Sequence, residues 1–249
     1  MSRPELPHWP YPLWIAHRGA GKLAPENTLA AFRLGGQYGF RAFECDVKLS
    51  ADDIPFLMHD ATLERTTSQY GAAAEWRWSD LSRLDAGSWH SRMYAGEPPA
   101  SLQALAQMLR RNEWLLDLEI KPSPGRERYT GEVVGQEVLR LWHGAAVPPL
   151  FTSFRPEALE GARTTASQIP RGLLLDTLWS GWMACAQALD CQAVVTHYSL
   201  MSAELVRTLH AAGMRALVYT VNDESVAQWL LGIGIDGIVT DAVDRFSPV

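Results

Sequence analysis

Four short polar clusters break an otherwise apolar series of segments: His17-Arg18-Gly19, Glu44-Cys45-Asp46, His59-Asp60 and Glu119-Ile120-Lys121. Each stands at the carboxyl end of a run rich in Val, Ile, Leu or other apolar residues. Acids and histidines there need solvent, a metal or one another as partners, because strands buried on both faces are otherwise nearly continuous in apolar residues. Glu44 and Asp46 are two apart on a strand, so both side chains point to one face; Glu119 and Lys121 are related in the same way. Glu44, Asp46 and Glu119 thus supply three carboxylates from two strands. This is a hard-oxygen set suited to Mg²⁺, Ca²⁺ or Mn²⁺, and not to a thiolate-bound zinc. An unperturbed imidazole titrates near neutral pH, so of His17 and His59 one can act as base while the other acts as acid. Arg18 and Lys121 put cationic donors beside the acids, which makes sense for an anion bridging metal and basic groups, and phosphate meets that description. A single acidic pair would ordinarily be a salt-bridged strand end; it is the convergence of four clusters that favours a site.

Such clusters converge only if the strands that carry them lie side by side. Strand candidates recur at Trp14 to His17, Ala42 to Val47, Ile54 to His59, Trp114 to Ile120, Leu150 to Phe154, Gly172 to Leu175, Ala193 to His197, Ala216 to Val221 and Gly237 to Thr240. Helical patterns separate most of them, which predicts repeated βα units around a parallel sheet. One helix is capped by Ser202, carries Leu205, Leu209 and Ala212 on a shared face and ends at Gly213. Another starts at Glu224 with Val226, Trp229, Leu230 and Ile233 on one stripe. The nine candidates exceed the eight of a closed barrel, and Lys48 to Asp53 is too short for a crossover helix, so one strand there is an irregular or hairpin element. Ile15, Val47, Leu118 and Val218 read as barrel filling. Ser153, Phe154 and Tyr219, at strand ends, either line the pocket or serve structure. Asn27 reads as a helix cap for the stripe of Leu29 and Phe32.

The stretch from about 61 to 101 lacks barrel periodicity and holds Trp76, Trp78 and Trp89. It reads as an insertion that follows His59 and is positioned to cap the pocket; its tryptophans either meet substrate or pack a core of their own. The 249 residues otherwise fit one α/β barrel domain. A net charge of -6 without any Lys/Arg run argues against nucleic acid, and no long apolar stretch argues for stable membrane insertion. Three cysteines, Cys45, Cys185 and Cys191, form no metal pattern and fit free thiols. The amino terminus has four prolines in its first dozen residues and no continuous apolar core, which reads as cytoplasmic. Oligomeric state has no signature here.

In order along the chain, AHRG (Ala16 to Gly19), PENT (Pro25 to Thr28), Glu44-x-Asp46, HD (His59, Asp60), EIK (Glu119 to Lys121), TSF (Thr152 to Phe154), YTVN (Tyr219 to Asn222) and GIVTD (Gly237 to Asp241) resemble the glycerophosphodiester phosphodiesterase family. The segments GKLAPENTLAAF, DAGSW and RGLLLD resemble most its bacterial cytosolic Ugp-type branch, which works beside glycerol-3-phosphate uptake. Tyr219 stands where many members have Trp, and Cys45 where a larger apolar residue is common. The resemblance implies a (β/α)8 TIM barrel with an inserted capping subdomain. It implies metal-dependent hydrolysis of glycerophosphodiesters such as glycerophosphocholine and glycerophosphoethanolamine to sn-glycerol 3-phosphate and an alcohol. It also implies His17 and His59 as acid and base, Glu44, Asp46 and Glu119 as metal ligands, and Arg18 and Lys121 as phosphate holders. The rival readings are a barrel phospholipase D acting on lysolipids or sphingolipids, and a non-catalytic binder of phosphorylated metabolites.

Overall fold

The computed structural model describes residues 6, 8–246 and 248, so most of the proline-bearing leader, 1–5 and 7, lies outside the described residues. Its strands are β1 (Trp14–Ala16), β2 (Ala42–Leu49), β3 (Pro55–Leu57), β4 (Leu115–Ile120), β5 (Leu150–Ser153), β6 (Arg171–Leu175), β7 (Ala193–His197), β8 (Arg215–Tyr219) and β9 (Gly237–Thr240). The helices are α1 (Leu29–Gln37), α2 (Trp78–Leu81), α3 (Leu102–Arg111), α4 (Glu127–Leu141), α5 (Pro156–Thr165), α6 (Trp182–Ala188), α7 (Ala203–Ala211) and α8 (Glu224–Ile233). Hydrogen bonding runs β1-β9-β8-β7-β6-β5-β4-β2 and closes through β1–β2, with every neighbour parallel. This is the closed eight-stranded α/β barrel the sequence predicts.

The surplus strand is a hairpin. β3 runs antiparallel to the upper half of β2, pairing Val47 with Leu57 and Leu49 with Pro55, while the lower half of β2 pairs with β1 at Phe43 and Ala16. Asp53 takes a positive φ of 60° in the turn, and the Ile54 amide donates to Ser50 Oγ at 3.0 Å. β1 and β3 therefore share one edge of β2, one above the other. That arrangement brings the residues after each of them, His17 and His59, to the two sides of Glu44 and Asp46.

Packing follows the period of two. Glu44 and Asp46 point into the barrel, so Phe43, Cys45 and Val47 point out, and with Leu116, Leu118, Ile120 and Val218 they form the layer beneath the helices. Ile15 fills the interior instead, with Leu150, Leu174, Val195, Leu217 and Val239. Of the four residues expected as barrel filling, only Ile15 lies inside. Tyr11 closes the amino-terminal end, its hydroxyl donating to Pro148 O at 2.8 Å.

The helices start where the caps predict. Ser202 Oγ accepts from the Leu205 amide, and Gly213 follows α7 with φ of 79°. α8 departs from expectation, because its buried residues are Ala227 and Leu230 while Trp229 is 48% exposed. A helix on the outside of a barrel buries only a narrow stripe, and Trp229 falls beyond it; Ala212 beyond α7 is likewise exposed. Asn27 is not a cap either. Thr28 caps α1, accepting from the Ala31 amide.

Residues 61–101 hold two short 3₁₀ turns and α2. Leu63, Ala73 and Leu81 bury against Phe56 and Met58, with Trp76, Trp78 and Leu84 packed around them. Two of the three tryptophans thus serve a small core of their own, and Trp89 is 40% exposed. Cys45, Cys185 and Cys191 are free thiols. Among the described residues no helix is long and apolar enough to cross a membrane.

Candidate active site

Two adjacent strands carry the same inward series in register. On β2 it is Glu44, Asp46 and Lys48; on β4 and just beyond it is Asp117, Glu119 and Lys121. Glu44 lies opposite Asp117 and Asp46 opposite Glu119, while the Lys121 amide donates to Val47 O at 2.9 Å, which keeps the two lysines level. The result is two layers of acids under one layer of ammonium groups. Glu44, Asp46 and Glu119 each place a carboxylate oxygen within 4.8 Å of the others, and all three are buried.

The charges are only partly balanced. Lys121 Nζ lies 3.1 Å from Glu119 and 3.5 Å from Asp46, and Arg18 Nε lies 3.1 Å from Asp46 Oδ2. The Arg18 amide donates to Glu44 Oε2 at 3.0 Å. Burial raises the Asp46 pKa, but Arg18 and Lys121 outweigh it and hold that carboxyl well below the usual range. Burial followed by the charge on Asp46 pushes Glu44 up, and the same two causes push Glu119 up to about 8. Glu44 Oε1 and Asp46 Oδ1 are buried with no hydrogen-bond partner. Carboxylates crowded together with orphaned oxygens are what a divalent cation would relieve, so the residues present fit such an ion.

The site's backbone is shaped to match. Arg18 has φ of 49°, and Gly19, with φ of 101°, lies so close to α1 that a Cβ would sit 2.8 Å from the Phe32 nitrogen. At Gly21 a Cβ would lie 2.1 Å from Asp241 O. These glycines let the first loop fold down over the barrel mouth.

Each histidine presents Nδ1 to a carboxylate. His17 Nδ1 lies 2.6 Å from Asp241 Oδ1, and Asn222 Nδ2 donates to Asp241 Oδ2 at 3.0 Å. His17 Nε2 is 3.8 Å from Glu44. His59 Nδ1 lies 2.7 Å from Asp60 Oδ1, and Arg65 grips Asp60 through Nε at 2.6 Å and Nη2 at 3.1 Å. Arg65 also binds Glu26 at 2.6 and 2.8 Å, and Glu26 accepts from Arg18 at 2.8 Å. Burial lowers the His59 pKa, and Arg18 and Lys121 add to that; Arg65 and His59 hold Asp60 down to about 2.

Both histidines, Arg18, Glu44, Asp117, Glu119, Lys121, Phe154 and Tyr219 line one cleft of about 210 Å³. Phe154 and Tyr219 meet edge-on at 5.7 Å, and Lys121 Nζ stands 5.9 Å from the Phe154 ring centre. Ser153 is fully buried; its hydroxyl donates to Ile120 O at 2.7 Å and it borders a neighbouring cavity. No residue of 61–101 lines this cleft, and that segment reaches the histidine through Arg65.

Several of these groups carry weaker signals in the sequence. Asp117 and Lys48 continue the alternation already used for Glu44 and Glu119, so the signal was present. Asn27, read as a cap, donates to Asp46 Oδ2 at 2.8 Å and accepts from the Asp46 amide at 3.2 Å, with φ of 58°. Asn222 and Asp241 stood only inside resemblance motifs. Glu26 likewise stood only inside the PENT motif, and nothing in spacing or periodicity marks Arg65.

Residues 17–245 match the glycerophosphoryl diester phosphodiesterase family. The chain is 35% identical to a phosphodiesterase of Oleispira antarctica solved in complex with the product sn-glycerol-3-phosphate, with a TM-score of 0.88 and 94% of each chain covered. It is 27% identical to the solved glycerophosphodiester phosphodiesterase of Agrobacterium tumefaciens, with a TM-score of 0.82 over 96% of this chain and 100% of that one. A glycerophosphodiester phosphodiesterase of Caldanaerobacter subterraneus subsp. tengcongensis is 29% identical over 92% of this chain and 93% of its own length. With its closed barrel, its acid cluster and a match spanning nearly its whole length, this chain belongs to the glycerophosphoryl diester phosphodiesterase family, a family of phosphoric diester hydrolases.

Proposed function

We propose that this protein hydrolyses glycerophosphodiesters to sn-glycerol 3-phosphate and an alcohol in the cytoplasm, with His17 and His59 exchanging the protons and a divalent ion at Glu44, Asp46 and Glu119. The observation that carries this reading is the pair of imidazoles in one cleft. Each has Nδ1 taken by a carboxylate, and they flank three converging acids.

A carboxylate on Nδ1 favours the tautomer with a proton there and leaves Nε2 as the atom that gives or takes a proton. Water supplies the hydroxyl that ends on the phosphate, and one imidazole removes a proton from the nucleophile as it bonds to phosphorus. The other delivers one to the departing alkoxide, so the leaving alcohol goes neutral. Arg18 and Lys121 hold the phosphate anion and stabilise charge gathering on its oxygens. Glu26 and Asn27 keep Arg18 and Asp46 in place, and Phe154 and Tyr219 wall the cleft. A bound Mg²⁺, Ca²⁺ or Mn²⁺ would neutralise phosphate charge and polarise the phosphoryl group. Residues 61–101 form an inserted subdomain that braces His59 through Arg65.

The test is release of sn-glycerol 3-phosphate from glycerophosphocholine by the purified protein, with and without chelator and with each of the three ions restored. Metal-restored release is the expected outcome. Tight binding of the diester without hydrolysis under any ion would replace the enzyme reading with that of a binder.

A further inference from the structure

A second cavity, of about 540 Å³, adjoins the cleft and shares Glu119, Lys121, Phe154 and Leu174 with it. Its remaining wall comes from Lys48, Pro122, Arg155, Asp176 and Trp179, among others. A diester held at Lys121 has two ester arms, and the two spaces on either side of Lys121 and Phe154 divide them. The smaller cleft, floored by Leu174, Val195 and Val239, suits the compact glycerol arm. The larger one is left for the alcohol.

The charges of the larger cavity are uneven. Lys121 and Glu119 pair with each other at 3.1 Å. Lys48 does not pair with any carboxylate within 4.0 Å among the described residues; its Nζ donates only to the Lys121 carbonyl, at 3.3 Å. Yet Lys48 is 4% exposed and points into the barrel on the same face as Glu44 and Asp46. A buried ammonium is costly unless paired; Asp46, Glu119 and Asp60 act on Lys48 without closing an ion pair, and an anionic group entering this cavity would supply one. Arg155, exposed at the end of β5, adds a second cation that no ion pair engages among the described residues, and Asp176 is the one carboxylate of this wall besides Glu119, which pairs with Lys121.

We propose that this cavity holds the departing alcohol, and that Lys48 and Arg155 select diesters whose alcohol bears its own anionic group, such as the serine carboxylate of glycerophosphoserine. The inference rests on the hydrolase reading above and names its substrate class. Asp176 works in the opposite sense, repelling the anionic group and tempering the selection.

The experiment compares kcat/KM for glycerophosphoserine and glycerophosphoethanolamine, which differ by one carboxylate, in the metal-supplemented full chain. The wild type is expected to favour the serine diester roughly fivefold, the size of about 1 kcal/mol from a partly exposed charge pair. Arg155→Gln and Lys48→Gln should each lower that ratio towards one, and Asp176→Asn should raise it. Arg155 is exposed, so its variant decides the matter even if the buried Lys48→Gln fails to fold. Equal efficiency on the two diesters, or a ratio unmoved by Arg155→Gln, overturns the inference while leaving the hydrolase reading intact. Turnover of neither diester removes both.

Discussion

The two histidines meet the same chemical requirement by different structural means. His17 follows β1, its partner Asp241 follows β9, and Asn222 follows β8, so three neighbouring strands of the closed sheet fix the His17 arm. His59 follows a three-residue strand outside the barrel, takes its carboxylate from the very next residue, and depends on Arg65 from a surface segment. Their Nδ1 distances are nearly equal, at 2.6 and 2.7 Å, while side-chain exposure is 17% for His17, 35% for His59 and 44% for Arg65. One arm inherits its geometry from barrel closure. The other has it clamped on by a guanidinium whose four contacts reach Asp60 and Glu26 together.

The charges differ as well. Asp241 is held by the neutral amide of Asn222, whereas Asp60 shares its charge with the guanidinium of Arg65. Burial lowers the His59 pKa, and the nearby cations Arg18 and Lys121 reinforce that direction. The same local motif, a carboxylate on Nδ1, is thus set in different surroundings at the two histidines.

The largest expected effects test what the arms have in common. His17→Ala and His59→Ala should each lower kcat by about 10²–10⁴-fold, the usual worth of a positioned proton donor or acceptor. Steady-state rates on glycerophosphocholine would show it, and near-wild-type kcat in either variant would break the symmetry of roles. The next effect separates the arms. Asp241→Asn should cost about 10- to 100-fold in kcat, as losses of a carboxylate behind a functional imidazole do, because among the described residues Asp241 is the group that bonds Nδ1. Arg65→Met should cost less, roughly tenfold, because Asp60 stays covalently next to His59 and loses only its orientation. Its signature is a fall in kcat with KM little changed, and partial recovery in Arg65→Lys, which keeps the charge but not the fork. If Arg65→Met instead raised KM alone, the segment would be acting on substrate binding.

What could be read from the sequence tracks the range of the interaction. Alternation within a strand is local, so Glu44, Asp46, Glu119 and Lys121 could be placed on common faces, and the same rule applied further would have found Asp117 and Lys48. The extra strand was legible because six residues cannot carry a crossover. Asn27 misled because an amide before an apolar stripe is a good cap signal, and only the fold shows Thr28 taking that role and Asn27 turning to Asp46. The Arg65–Glu26 contact spans 39 residues between two irregular segments, where no period exists to reveal it. The outward packing of Val47, Leu118 and Val218 follows once the acids are assigned to the interior, which a count of apolar residues alone does not do.

The smallest effect concerns stability rather than rate, and it isolates the clamp from the chemistry. Asp60 has its pKa held down to about 2 in the folded protein, chiefly by Arg65, against 3.8 for the free side chain. A carboxyl with a depressed folded pKa contributes stability that is fully present above its unfolded value and fades as pH falls through the folded one. The contribution should therefore be complete above about pH 5 and shrink as pH falls from 4 towards 2. Arg65 is 44% exposed and solvent screens its pairs, so Arg65→Met should lower Tm by only about 3 °C at neutral pH, from about 1 kcal/mol. Thermal melts of both proteins across pH 3 to 7 would show the gap closing on the acid side. A gap that stayed constant would mean that Arg65 stabilises the segment through packing of its aliphatic stem, and that the His59 arm is held by contacts other than the charge on Asp60.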